Sequence, residues 1–328
     1  MQRVAIGMLA AASVAVASAA GSPVFTYEPF FPVVSPDARQ IAWVDIAGVG
    51  EADRVFVARP NGHGARGLGP RWPDGINSIV WTRAGIVVDS NFRLALLSRT
   101  GRVTRIGPAG DFSFSAGGSR VASGTPGCGQ GTCAGPLLVI DIHSRKQWRL
   151  GRADQSNVEP SLSPDGKQVA WKGPDGILIS AVAGGSPQML VAGGSCPQWS
   201  PDGRLIAYLS PGDSLQIIPA SGGASQTLFK RAGGCSVPGG STWSRDSRRI
   251  VFEPGKRLAV VSVRTRRVIL DSPRLGRIAG GFAWAAGGSR LYVSVRPWPK
   301  EAGQIDCTAL WLLRATTLRG QRLLNGCV

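Results

Sequence analysis

Leu162-Ser163-Pro164-Asp165-Gly166 and Trp199-Ser200-Pro201-Asp202-Gly203 are two copies of one phrase. Each runs through a basic residue into a β-branched residue, an alanine and an aromatic, Val169-Ala170-Trp171 and Ile206-Ala207-Tyr208. Five more worn copies stand at Val34-Ser35-Pro36-Asp37-Ala38, Trp81-Thr82-Arg83-Ala84-Gly85, Phe114-Ser115-Ala116-Gly117-Gly118, Trp243-Ser244-Arg245-Asp246-Ser247 and Trp284-Ala285-Ala286-Gly287-Gly288. Successive starts lie 33 to 48 residues apart, the spacing of a four-stranded propeller blade. Ser and Asp offer side-chain oxygens to the turn backbone, Pro presets φ, and Gly takes the conformation that strains other residues. Each phrase is therefore a hairpin tip, seven times over.

A strand rich in β-branched and aromatic residues follows each phrase, and then a second hairpin. Leu137 to Ile142 turns at His143-Ser144-Arg145-Lys146, and Ile177 to Val182 turns at Ala183-Gly184-Gly185-Ser186. Arg257 to Val263 turns at Arg264-Thr265-Arg266, and Trp311 to Leu313 turns near Thr316-Thr317. Four short strands with two tight turns and two looser connections make a blade. The expected class is all-β, a seven-bladed β-propeller of four-stranded antiparallel blades, with six blades as the alternative.

Residues 1–20 read as a cleaved signal peptide. Arg3 precedes an Ala/Val-rich run and Ala17-Ser18-Ala19 supplies small residues for a peptidase. The run falls short of the roughly 20 strongly apolar residues of a spanning helix. Residues 21–328 form one propeller domain at about 44 residues per blade, placed in the periplasm or outside the cell. Six cysteines in an exported chain read as disulfides. The repeat frame favours Cys128 with Cys133, Cys196 with Cys235, and Cys307 with Cys327, one pairing among fifteen. Zinc is the sharper alternative, but the chain has two histidines and no C-x-x-C.

The phrase resembles the WD40-like PD40 repeat of TolB-type propellers, and a related repeat occurs in prolyl oligopeptidase-like enzymes. The likeness is strongest from Ser156 to Arg257 and weakest from Ile79 to Asp89. TolB proteins carry an N-terminal α/β domain and usually six blades, whereas this chain enters its first blade almost at once and has seven phrases. The resemblance implies the fold; it does not transfer the Tol partner.

In an antiparallel blade the phrase turns and the second turns share one face, and the looser connections share the other. On the tight-turn face stand twenty basic residues against four acids, Asp37, Asp165, Asp202 and Asp246. That difference of +16 equals the net charge of the chain without Arg3, so the excess is one-sided. A basic disc collects polyanions, in a salt-dependent way. Arg145, Lys146, Arg264, Arg266 and Arg267 are its candidate residues, and an anionic lipid or a cell-wall polymer is the candidate partner. The blander reading is an arginine-rich composition filling every exposed turn. Nucleic acid is not expected, because no aromatic interleaving marks a stacking groove.

On the loop face, Gly69-Pro70-Arg71-Trp72-Pro73-Asp74 and Arg296-Pro297-Trp298-Pro299 each set a tryptophan between prolines. Arg71, Trp72, Asp74 and Trp298 read either as anchors for a protein or peptide partner or as caps over the blade edge. Asp154 and Glu159, in the connection entering the fourth blade, read as a cationic or metal contact or as solvation of the channel mouth.

Catalysis has few candidates. His63 and His143 both fall in second turns, there is no G-x-S-x-G elbow, and no hydrolase domain accompanies the repeats. The expected protein is a monomeric scaffold or ligand-binding module without catalytic residue, cofactor or metal. The alternative is a glycan- or small-molecule-acting enzyme using carboxylates such as Glu159 at the propeller centre.

Overall fold

The computed structural model describes residues 28–46, 52–108, 112–115, 118–124, 134–232, 243–254, 257–270, 276–296 and 308–324. They form seven antiparallel sheets, each a meander in sequence order. Blade 1 spans 28–72, blade 2 78–108, blade 3 112–150, blade 4 158–192, blade 5 195–229, blade 6 243–270 and blade 7 277–324. Six sheets have four strands. Blade 6 has three, with its first strand represented by the Trp243–Ile250 bridge, since 233–242 are outside the described residues. The fold is the seven-bladed propeller expected from the phrases.

First strands pack against the first strands of neighbouring blades and so surround the axis. Fourth strands are the exposed edges, as in Val103–Pro108 and Gln188–Ala192. The core consists of seven apolar clusters, one between each pair of adjacent blades. The alternation of the second and third strands explains this, because each blade must bury both of its faces. Trp171, fully buried between blades 3 and 4, donates its indole N–H to Asn157 Oδ1 at 2.9 Å. Ring closure joins blade 7 to blade 1 by packing Tyr292, Leu310 and Leu312 on Ile41, Trp43 and Ala58. The Tyr292 hydroxyl donates to Pro60 O at 2.9 Å across that seam. Among the described residues no strand is exchanged between blades 1 and 7.

The phrase forms a repeated hydrogen-bonded knot. Ser163 Oγ donates to Asp165 Oδ1 at 2.6 Å and accepts Gln168 N–H at 2.9 Å, while Asp165 accepts Lys167 N–H at 3.0 Å. The same set recurs at Ser35/Asp37, Ser200/Asp202 and Ser244/Asp246. All four serines are buried. The third residue after each serine is left-handed, at φ 70 in Gly166 and 75 in Gly203, but also at 58 in both Ala38 and Ser247. Thr82 departs from the pattern by closing a shorter turn directly with Gly85.

Two placements differ from expectation. Arg71 and Trp72 end the outer strand of blade 1, Arg66–Trp72, rather than lying in a loop; an edge strand tolerates Pro70 because no neighbour needs its missing N–H. Glu159 lies inside the first strand of blade 4, Val158–Leu162, rather than in the connection before it.

Candidate functional site

The inner strands carry a feature that local pattern did not reveal. Phe31, Glu159, Cys196 and Gly281 stand four residues before Ser35, Ser163, Ser200 and Ala285, and all four have positive φ (50, 51, 52 and 94). Each coincides with a slip in the pairing between first and second strands. These are β-bulges, which bend a strand and re-aim its side chains. Glu159 Oε2 accepts the backbone N–H of Cys196, the next blade's bulge, at 2.6 Å. Its carboxylate therefore joins blade 4 to blade 5.

Asp154 is likewise engaged, by Arg152, whose Nε and Nη2 lie 2.9 and 2.8 Å from its two oxygens. The hydrogen bond from Arg152 holds the Asp154 carboxyl below the usual carboxylate range. Trp72 packs against the core between blades 1 and 2, as the cap reading holds. Arg71 and Asp74 are exposed nearby. Trp298 lies outside the described residues, as do Cys128, Cys133, Cys235, Cys307 and Cys327. Cys196 is disulfide-bonded. Arg71, Trp72 and Asp74 thus stand where blade 1 leads into blade 2, apart from Asp154 in the connection from blade 3 to blade 4 and from Glu159 in blade 4, which faces blade 5.

A buried acidic pair escaped the sequence reading. Asp45 and Asp53 sit at the loop-face ends of the second and third strands of blade 1, 6% and 7% exposed. Burial first, and the Asp53 charge second, push the Asp45 carboxyl up to about 7, against the pull of Arg71. Asp53 Oδ2 accepts Ile76 N–H at 2.8 Å, anchoring the connection into blade 2. A charge inside the apolar run Ile41-Ala42-Trp43-Val44-Asp45-Ile46 was the available signal. Among the described residues no group of three or more His, Cys, Asp or Glu is placed to hold a metal.

The tight-turn face carries its cations openly. All twenty basic residues of that face are described, and eighteen are exposed. The two exceptions are structural. Arg120 Nη1 donates to Gly166 O at 2.8 Å, with its guanidinium over Trp148, and Arg249 Nη1 donates to Gly288 O at 2.7 Å. Each stitches its blade to the next. One acid must be added to the four expected. Asp141 ends the third strand of blade 3 and accepts the N–H groups of His143 and Ser144 in the second turn, leaving twenty basic residues against five acids. The second turns hold Arg59 and Arg66 in blade 1, Arg99 and Arg102 in blade 2, and Arg145 and Lys146 in blade 3. Blade 6 holds Arg264, Arg266 and Arg267, and blade 7 holds Arg314 and Arg319. None of these eleven forms an ion pair within 4 Å with a carboxylate among the described residues, and Arg99 acts on Asp37 from farther off.

No family profile matches the chain. Tricorn protease homolog 1 of Streptomyces coelicolor is 26% identical over 111 residues, 30% of this chain and 10% of that protein; the chain thus spans about a tenth of that relative's length. Among solved structures, an oligogalacturonate lyase in complex with manganese superposes with TM-score 0.64 at 12% identity, covering 88% of this chain and 90% of the other. Kuenenia stuttgartiensis hydrazine synthase gives 0.57 at 14%, covering 88% and 96%. TolB from Acinetobacter baumannii gives 0.51 at 19%, covering 75% and 64%. The chain shares the propeller fold with these structures, TolB among them, and the likenesses concern the fold alone.

Proposed function

We propose that the protein is an exported, TolB-like binding or scaffold propeller whose tight-turn face docks an acidic partner in the cell envelope or outside the cell. One observation carries this reading: eleven exposed second-turn cations with no close ion pair among the described residues, on a face with twenty basic residues and five acids. Neighbouring positive charges reinforce one another's potential and attract polyanions strongly at low salt. By contrast, Glu159 and Asp154, the candidate central carboxylates, are taken up by Cys196 N–H and Arg152. Arg71 and Asp74, exposed on the opposite face, offer a second surface for a protein or peptide.

The test compares material retained from envelope extracts by the wild type, by Arg264→Ser/Arg266→Ser/Arg267→Ser, and by Arg71→Ser/Asp74→Ser. Salt-sensitive retention that falls in the first variant alone supports the reading. Retention unchanged there and lost in the second moves the site to the loop face.

A second reading, carboxylate catalysis on a glycan or small molecule, draws on the Asp45/Asp53 pair. Two buried carboxylates with one raised to about 7 suit general acid–base work. The lyase likeness is one of fold. Turnover of anionic glycans that vanishes in Asp45→Asn supports this reading; equal turnover in that variant removes it.

A further inference from the structure

The basic residues of the tight-turn face do not form a complete ring. The second turns of blades 4 and 5 read Val182-Ala183-Gly184-Gly185-Ser186-Pro187 and Ala220-Ser221-Gly222-Gly223-Ala224-Ser225, with no charge at all. Their phrases balance, Lys167 against Asp165 and Arg204 against Asp202. The remaining five blades hold eighteen of the face's basic residues and three of its acids. Because blade 7 closes on blade 1, these five are contiguous, in the order 6, 7, 1, 2, 3. The whole excess follows a crescent with two ends, Arg264 to Arg267 in blade 6 and Arg145 and Lys146 in blade 3.

We infer that this crescent is a track for a flexible, linear polyanion of phosphate or carboxylate units, lying along the rim from blade 6 to blade 3. The inference rests on the tight-turn face being the binding face. A compact anion meets the two or three second-turn cations of one blade, whereas a long chain engages successive blades and gains from each. Ten of the eleven second-turn cations are arginine, whose planar fork matches phosphate and carboxylate oxygens. A flat anionic membrane would cover all seven blades, including the two neutral ones.

The backbone fixes one cation at each end of the crescent. Arg145 and Arg266 occupy equivalent turn positions at φ 62 and 55, their N–H groups bonded to Asp141 O and Ser262 O. Glycine takes left-handed conformations freely, and Gly62 and Gly101 do so in the second turns of blades 1 and 2 at φ 83 and 87, while Leu318 holds the position equivalent to Arg145 in blade 7 at φ 51. At the two ends of the crescent, blades 6 and 3, an arginine stands at this strained position, where glycine would cost less.

The test uses the full mature protein with long-chain polyphosphate, poly-L-glutamate, tripolyphosphate, anionic phospholipid vesicles and a compact acidic protein, at several salt concentrations. Expected are affinities for the two long polymers at least tenfold above tripolyphosphate, with a steep salt slope. Arg145→Gly/Arg266→Gly should melt no lower than the wild type, yet bind the polymers several-fold more weakly with a shallower slope. Equal affinity for polymer and tripolyphosphate, unchanged polymer binding in the double variant, or binding of vesicles without polymers overturns the track. If the compact acidic protein still binds in a salt-dependent way, only the track falls. If nothing anionic binds, the tight-turn reading falls with it.

Discussion

At the scale of single residues, the phrase works because serine and aspartate bond within five positions of one another. The Ser35 hydroxyl holds the Asp37 carboxyl below the usual carboxylate range, and Ser163 does the same for Asp165. Burial pulls Asp202 and Asp246 up, but the hydroxyl and backbone donors outweigh it. Ala38 stands at φ 58 where other phrases hold glycine, and a left-handed non-glycine residue costs roughly 1–2 kcal/mol. Ala38→Gly should therefore raise stability by about 0.5–1 kcal/mol after the entropy of the added glycine, read as a higher Tm. Gly166→Ala should lose about 1–2 kcal/mol, because its φ is 70 and an added Cβ would stand 3.1 Å from Ser115 Cβ. Asp45 gives a pH signature. Its folded pKa of about 7 lies above the unfolded value, so charging it opposes folding. That penalty grows as pH rises from about 4 to 7 and is constant above. Asp45→Asn should thus gain stability over the wild type at pH 8, on the order of 2–4 kcal/mol, and much less at pH 5, in parallel chemical denaturations.

At the scale of elements, one inner-strand bulge is tied to the next, Glu159 of blade 4 to Cys196 of blade 5. Glu159 was read as a channel acid because sequence shows its charge but not its acceptor role; Cys196 lies 37 residues away. Removal of a charged acceptor from a backbone N–H costs about 1.5–3 kcal/mol. Glu159→Ala should lose that amount in denaturant unfolding, and Glu159→Gln, which keeps a carbonyl acceptor, should recover most of it. An equal loss in both variants would show that the negative charge itself matters. The hairpins were legible because each closes locally, and the second turns fell where their composition placed them. Trp72 was ambiguous because Trp between prolines describes a strand end and a free loop equally well; packing between blades 1 and 2 decides it.

At the scale of the whole molecule, the charge is one-sided and self-repelling. The formal net charge of +17 destabilises the compact state at low ionic strength, and salt screens it over about 10 Å at 0.1 M. Tm should rise by a few degrees between low and moderate salt, while binding of polyanions weakens over the same range. A Tm independent of salt would mean that the exposed cations are too far apart to repel. The neutral second turns of blades 4 and 5 were readable as text. Their meaning as a gap in a crescent required knowing that blade 7 packs on blade 1.

The sequence by itself determined the blade, its count and the side on which its cations lie. These follow from turn chemistry within a few residues and from strict alternation of strand direction. Only the tertiary structure decided that Arg120 and Arg249 are stitches, that Glu159 serves a neighbouring bulge, and that Asp45 is buried beside Asp53. Each of those depends on atoms brought together from distant strands or neighbouring blades, where burial and partner geometry, rather than residue type, set what a charged group does.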